Sequence, residues 1–136
     1  MIIFLFTLIK KLLNLGAIIK ENNMNIIVAG SRTFTNYKLL EEILNKYITS
    51  NDIIISGVAK GADTLGIIYS HKHNIKVKYF PANWNLYGKS AGYKRNVKMA
   101  NNANMLIAFW DSTSKGTKHM IDIMHKQNKK VIIIKF

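Results

Sequence analysis

Three loops of this chain combine glycine with serine, threonine, arginine or aspartate, and each follows a short apolar run directly. The apolar runs are residues 26–29, 53–55 and 105–109. Backbone amides in such loops, next to helix N-termini, bind phosphate and other anions. The loop residues that could hold a ligand are Gly30, Ser31, Arg32, Thr33, Ser56, Gly57, Lys60, Gly61, Asp63, Asp111, Ser114, Gly116 and Thr117.

Arginine is scarce in a chain that otherwise uses lysine as its cation. Of the 20 Lys and Arg residues, only Arg32 and Arg95 are arginine. Arg32 stands in the first loop, where a planar guanidinium can bind phosphate or carboxylate through two parallel hydrogen bonds. Both arginines could instead form surface ion pairs. Their scarcity and positions favour ligand contact, so the chain predicts a site for a phosphorylated molecule.

Strand and helix patterns alternate from residue 24 onward. The predicted strands are residues 25–29, 52–55, 76–80, 105–109 and 130–135, and the predicted helices are residues 35–48, 62–73, 91–101 and 117–127. The third strand alternates polar and apolar residues, which predicts an edge strand; the other four are near-continuous apolar runs, which predicts cover on both faces. Right-handed crossovers then predict an α/β fold: a three-layer Rossmann-like sandwich with a five-stranded parallel sheet of order 3-2-1-4-5. All three loops would leave from its carboxyl edge.

The composition indicates one globular domain with an anionic partner. The chain has 136 residues and a formal net charge of +13, which favours nucleotides or nucleic acid. This support is modest, because lysine, asparagine and isoleucine are all abundant, as an AT-rich genome would produce. The absence of cysteine excludes a disulfide framework and a thiolate metal site.

No metal site is expected from the remaining ligand types. His71, His73, His119 and His125 do not group with carboxylates at the spacing of metal ligands. We interpret all four as solvated residues on helix surfaces.

Residues 1–23 differ from the rest of the chain. They are mostly apolar, with Lys10 and Lys11 in the middle, and the apolar runs are shorter than the ~20 residues that span a bilayer. The features of a secretory signal are missing. Two interpretations remain open: an amphipathic helix that contacts a membrane surface, or translated upstream sequence before a true start at Met24. The prediction is an N-terminal extension, 1–23, followed by one domain, 24–136.

Several segments of that domain recur together, in the same order, in one known family. They are Ile-Val-Ala-Gly-Ser-Arg-Thr-Phe at 27–34, Ser-Gly-x-Ala-Lys-Gly-Ala-Asp at 56–63, Phe-Pro-Ala-x-Trp at 80–84, Tyr-Gly-Lys-x-Ala-Gly at 87–92, Arg-Asn at 95–96, and Ala-Phe-Trp-Asp with Ser-Lys-Gly-Thr at 108–117. With these segments, residues 24–136 resemble the YspA (cpYpsA-related) branch of the SLOG superfamily of Rossmann-like domains.

The resemblance implies a site for a nucleotide or nucleotide derivative, but no established reaction. The superfamily includes the Lonely Guy phosphoribohydrolases, which release cytokinin bases from nucleotides, and the DNA-processing protein DprA/Smf, which binds single strands. Related domains are regarded as sensors of nucleotide-derived signals in phage defence. Arg95 matches an arginine of the hydrolase motif, which adds it to the expected ligand-binding residues. The implied location is the cytoplasm of a bacterium or of the host cell of a virus.

Two departures from the related motifs bear on catalysis. Met120 stands where the hydrolases carry a glutamate that contributes to glycosidic cleavage, and Asp122 lies two positions further on, turned about 200° on a helix. Asp63 and Asp111 are candidates to replace that glutamate as catalytic carboxylates; each could equally cap a helix or contact a ribose hydroxyl. Val58 occupies a position where the branch commonly has glycine, and it narrows the backbone freedom there.

Three functions remain open at this level. The first is a non-catalytic module that senses or sequesters a nucleotide-like small molecule, with no further cofactor. The second is a hydrolase of an N-glycosidic or phosphate bond. The third is single-stranded nucleic-acid binding on the basic surface, with Trp84 and Tyr93 as stacking platforms. Aromatic residues in a loop are more typical of a lid or core edge, as also for Tyr87. A homo-oligomer is compatible with each.

Overall fold

The structure, a computed structural model, describes residues 23–136. The hypotheses on the N-terminal extension, an amphipathic helix or a start at Met24, therefore concern residues that lie almost wholly outside the described range. Within residues 23–136, no helix has the length and apolar character that crossing a membrane requires.

Strands and helices alternate along the chain, as the sequence predicts. In chain order the elements are β1 (Asn25–Gly30), α1 (Tyr37–Tyr47), β2 (Ile53–Ser56), α2 (Ala62–Lys72), β3 (Lys76–Tyr79), α3 (Trp84–Tyr87), a 3-10 turn (Gly88–Ser90), α4 (Ala91–Asn101), β4 (Met105–Trp110), α5 (Lys115–Lys126) and β5 (Lys130–Lys135). The predicted bounds differ from these by one or two residues. The starts of α1 and α5 differ most, by two residues each; at α5 the Ser114 side chain accepts from the amide of Thr117 and so caps the helix earlier.

The five strands form one all-parallel sheet in the order β3-β2-β1-β4-β5, which confirms the predicted topology. β1 lies at the centre, with Ile27 paired to Ile55 of β2 and to Leu106 of β4. β3 is an edge strand, as its alternating pattern predicts.

Alternate side chains of the central strands enter two separate cores. Ile26 and Val28 of β1 pack on one face of the sheet with α1 and α2, against residues such as Leu40. Ile27 packs on the other face with α4 and α5, against residues such as Met99. All five side chains are almost fully buried, and each burial stabilises the fold by about 1.5–3 kcal/mol.

The prediction that β5 is covered on both faces is wrong. β5 is the second edge of the sheet, and Ile133 in its middle is 36% exposed. Its flanking residues Lys130 and Lys135 are exposed as well. An apolar run indicates a strand in a parallel sheet, but it does not distinguish a central strand from an edge strand half-covered by helices.

The carboxyl ends of β1 and β4 approach each other too closely for a side chain at Gly30. A Cβ at Gly30 would lie 2.1 Å from the carbonyl oxygen of Phe109. Beside it, the amide of Ser31 donates to that same oxygen at 2.8 Å. This contact joins the loop after β1 to the end of β4.

We expect Gly30→Ala to lower the free energy of unfolding by about 3 kcal/mol, because the clash is with backbone and cannot be relieved by a rotamer change. Gly116→Ala is the matched control, since a Cβ there has no atom within 4 Å. Urea unfolding of both variants measures the difference. Equal stabilities would show that β1 and β4 can separate at this end without cost.

Candidate functional site

The loops that follow β1, β2 and β4 surround a cavity of about 350 Å³ at the carboxyl edge of the sheet. Most of the predicted ligand-binding residues line it: Gly30, Arg32, Thr33, Asp63, Arg95, Asp111, Ser114, Gly116 and Thr117. A cavity of this volume lies in the range of small-molecule sites.

Sequence reasoning did not assign five of the residues in the cavity wall: Ala29, Ala59, Asn96, Met99 and Met120. Met99 lies one helical turn after Arg95, and Met120 lies one turn after Gly116. This helical spacing is the signal in the sequence from which both could have been placed on the cavity face. Apolar residues at such positions are typical of core packing, which these two also provide.

Two predicted serines are buried inside the loops and do not line the cavity. The hydroxyl of Ser31 accepts from the amide of Asp111 at 3.1 Å, across the gap between two loops. The hydroxyl of Ser56 accepts from the amide of Val58 at 3.2 Å and donates to the carbonyl of Asp63 at 3.4 Å. Both hydroxyls therefore hold the loops together.

Gly57, Gly61 and Lys60 also lie outside the cavity wall. A Cβ at Gly61 would lie 2.3 Å from the carbonyl oxygen of Ser31, and its φ of +80° favours glycine. A Cβ at Gly57 would lie 2.6 Å from a guanidinium nitrogen of Arg95. These glycines therefore let the loops pack closely, and Lys60 is exposed to solvent.

Both arginines of the chain line the cavity, but they differ in their surroundings. Arg32 is exposed and has no hydrogen bond or ion pair to any residue in 23–136. Arg95 is half-buried: Nη1 donates to the carbonyl of Gly57, and Nε donates to Asn96 Oδ1 at 3.1 Å. Burial lowers the pKa of Arg95, an effect that the Asp63 carboxylate opposes. One guanidinium is thus fixed, and the other remains available.

Asn96 connects α4 to α5 beneath the cavity. Its Nδ2 lies 3.2 Å from the carbonyl oxygen of Gly116, to which it donates, and 3.2 Å from His119 Nδ1. The Tyr93 ring meets the His119 ring edge-on at 4.5 Å between centroids. Burial lowers the pKa of His119, which favours the neutral ring.

The interpretation of all four histidines as solvated is wrong for two of them. His119 is part of the Asn96 contact just described. His73 Nε2 lies 3.0 Å from Glu41 Oε2, and its ring stacks on Tyr69 at 4.2 Å. Within residues 23–136, no group of three or more His, Cys, Asp or Glu residues is placed to hold a metal ion.

The N-terminus of α5 opens toward the cavity. Ser114 caps it, accepting from the amide of Thr117, and the two hydroxyl oxygens lie 3.0 Å apart. The first turn of α5 contains no acidic side chain. The positive end of the helix dipole therefore has no acidic side chain in its own first turn, and the carboxylate that precedes it in the chain is Asp111, which also lines the cavity.

The first turn of α2, unlike that of α5, contains a carboxylate of the protein itself, Asp63. Its side chain is buried, and Oδ2 accepts from the amide of Ala59 at 3.2 Å. Burial raises the pKa of Asp63 to about 6, against the lowering effects of the Ala59 amide and the Arg95 guanidinium. A carboxyl group of this kind is partly protonated near neutral pH.

Asp111 shapes the loop after β4. Its Oδ1 accepts from the amides of Thr113 and Ser114 at 2.9 and 2.8 Å. These bonds, that from Ser114 foremost, hold the pKa of Asp111 below its usual range. The side chain thus forms an Asx turn that precedes α5.

Val58 adopts a backbone conformation that β-branched residues rarely take. Its φ is +64°, and its side chain is 46% exposed. For a residue with a side chain, this left-handed backbone conformation costs roughly 1–2 kcal/mol relative to the right-handed one. The departure from glycine noted in the sequence therefore places strain in the loop after β2.

The hydrolase glutamate position points into the cavity but carries no carboxylate. Met120 lines the cavity and is only 2% exposed. Asp122 lies on the solvent side of α5, where Oδ2 is 2.7 Å from Lys118 Nζ. Since that pair is exposed, Asp122 does not serve the site.

The expectation that the loop aromatics pack down as a lid or core edge is wrong. Trp84, Tyr87 and Tyr93 are 52%, 38% and 45% exposed. They lie on α3 and α4 and do not line the cavity.

Asp63 should give the domain a pH-dependent stability. Because its pKa in the folded state is about 6, above the ordinary 3.8, protonation stabilises the fold. This contribution is complete below about pH 3.8 and is lost as the pH rises through about 6. Between pH 4 and pH 7, the free energy of unfolding of the wild type should fall by roughly 2.5 kcal/mol relative to Asp63→Asn. Urea unfolding at several pH values measures this, and parallel curves for the two proteins would contradict it.

Comparison with known proteins finds one family and one solved structure that are similar to parts of this chain. Residues 24–87 match the model of the YspA, cpYpsA-related SLOG family. A search among curated proteins finds no match. Among solved structures, DNA processing protein A (DprA) from Streptococcus pneumoniae is similar, with a TM-score of 0.69 and 17% sequence identity over 84% of this chain and 50% of that one.

At this level of identity, the likeness to DprA shows the fold alone, and the chain spans about half the length of the DprA chain. The Rossmann-like fold is thus supported by both the sheet order and a solved structure. The resemblance found in the sequence is confirmed for residues 24–87, which are similar to the YspA (cpYpsA-related) SLOG family.

Proposed function

We propose that this protein binds a nucleotide or nucleotide-derived ligand at the carboxyl edge of its sheet, as a sensor or sequestering module. The observation that carries the proposal is that both arginines of the chain and the open N-terminus of α5 line one cavity. The family and the fold support a function related to nucleotides or nucleic acid.

The phosphate would bind between Arg32 and the first turn of α5. Arg32 has no partner among the described residues, so a ligand anion would provide one. Helix amides and the hydroxyls of Ser114 and Thr117, which line the same cavity, would supply further donors. Charge-assisted hydrogen bonds of this kind contribute about 1.5–3 kcal/mol each.

The nucleoside would lie over the apolar part of the wall. Ala29, Met99 and Met120 form this part, and methionine adapts its shape to a flat ring. Gly116 contributes no side chain, so the ligand can approach the helix backbone.

Arg32→Ala should weaken binding by about 1.5–3 kcal/mol, or roughly 10- to 150-fold, and leave the fold intact. Gly116→Ala should also weaken binding, because its methyl group takes ligand space, while a helical alanine should raise the unfolding free energy by up to about 1 kcal/mol. Thermal unfolding and calorimetry with a panel of nucleoside mono-, di- and cyclic phosphates measure both effects.

Lys126→Ala is the matched control for charge, since Lys126 is exposed in the last turn of α5, outside the cavity wall. Unchanged affinity in both cavity variants would move the site elsewhere. Absence of binding by every member of the panel would reject the proposed function.

A second candidate function is hydrolysis of an N-glycosidic or phosphate bond. The observation in its favour is that Asp63 lines the cavity with a pKa raised to about 6, as catalytic acids and bases often have. Against it, the position of the hydrolase glutamate is Met120, which can neither activate water nor stabilise an oxocarbenium ion. Binding that is equal for substrate and transition state does not accelerate a reaction.

We expect at most trace release of free base from nucleoside monophosphates. Loss of an acid–base group typically costs 10²–10⁴-fold in rate, so little turnover should remain. Chromatography of incubated nucleotides measures it, with Asp63→Asn and Asp111→Asn as comparison proteins. Robust release that disappears in either variant would establish the enzyme and reject the binding module.

A further inference from the structure

A second cavity, of about 270 Å³, lies beside the first and shares Arg95 with it. The end of β3, the segment through α3 and one side of α4 form its walls. Its polar and aromatic wall residues are Tyr79, Asn83, Tyr87, Lys94, Arg95 and Lys98. Its volume is close to the lower end of the range of small-molecule sites, about 300 Å³.

The chemistry of this second cavity suits a base and an anion. The Tyr87 and Tyr79 side chains are 38% and 51% exposed, so each ring has surface on which a base could stack, Tyr87 on the face that Lys94 does not cover. Lys94 Nζ lies 4.2 Å from the Tyr87 ring centroid, and Lys98 adds a second cation. No carboxylate lines the cavity, and the sequence has no Asp or Glu between residues 63 and 111.

Arg95 is held in place at the boundary of the two cavities. Its Nη1 and Nε bond to Gly57 and Asn96, and no residue in 23–136 accepts from Nη2. A guanidinium fixed in this way can still donate to a phosphate oxygen. A phosphate between the cavities would be within its reach from either side.

We infer that the ligand spans both cavities and is a dinucleotide, two nucleoside units joined by a phosphate or pyrophosphate that contacts Arg95. This inference rests on the proposed function and extends it from one nucleotide to two. The first unit occupies the cavity of Arg32 and Gly116, and the second stacks on Tyr87. A second copy of the chain fits this face less well, because two proteins of net charge +13 repel each other.

Ligands of graded length test the inference without knowledge of the bases. We would use 5′-phosphorylated DNA and RNA of randomised sequence with one, two, three and six nucleotides, together with dinucleoside pyrophosphates. Calorimetry should give a dissociation constant at least tenfold lower for two units than for one, and no further decrease beyond two.

Variants of the second cavity separate the two halves of the ligand. The double variant Tyr87→Ala/Lys98→Ala should reduce the affinity for two units to that for one and leave one-unit binding unchanged. Lys126→Ala, on a surface away from both cavities, should leave both affinities at the wild-type level.

Three results would overturn the inference in different ways. One-unit binding with no gain from a second unit would reject the dinucleotide and leave the proposed function standing. Affinity that keeps rising to six nucleotides, with a steep salt dependence, would assign single-stranded nucleic acid instead. No binding of any ligand would reject both proposals.

Discussion

The reversal of winding between β1 and β4 is the constraint on which the site depends. The chain proceeds from β1 to one side of the sheet through β2 and β3, then returns to the other side as β4 and β5. The loops after β1 and β4 begin at neighbouring strand ends but lead to opposite faces of the sheet, so a cleft opens between them. Gly30, Ser31 and Phe109 bring those ends into contact. The cavity lies immediately beyond, with α5 on one side and α2 on the other.

Charge is distributed so that Asp63 and Asp111 supply the carboxylates of the cavity wall, and Arg32 is available for an anion that comes from a ligand. Asp63 lies at the N-terminus of α2 near the fixed Arg95, whereas the first turn of α5 contains no acidic side chain and Arg32 has no ion-pair partner among the described residues. Buried charge is costly unless it is compensated, so Asp63 and Arg95 moderate each other's desolvation. Binding of a phosphate would complete the same balance on the α5 side.

The sequence was sufficient for the sheet order, because apolar runs, helix periods and the handedness of crossovers leave few parallel topologies. It could not show that β5 is left half-exposed, since Ile133 has the same apolar character there as a residue of a fully covered strand. The sequence also could not distinguish the role of Ser31, whose hydroxyl joins two loops, from that of Ser114, which lines the cavity. Both are serines in a loop after an apolar strand, and a hydroxyl can bond either to the backbone or to a ligand. Met120 illustrates the converse, since a core residue of α5 also forms part of the cavity wall.

Native mass spectrometry of the gently purified protein tests the central claim, that the cavity holds a nucleotide-like ligand, most directly. We expect the wild type to carry an adduct of nucleotide or dinucleotide mass that is released on denaturation. The adduct should be lost or depleted in Arg32→Ala and retained in Lys126→Ala. A wild-type protein that carries no adduct and retains none from an added nucleotide mixture would contradict the account. An adduct as abundant in Arg32→Ala and in Gly116→Ala as in the wild type would also contradict it.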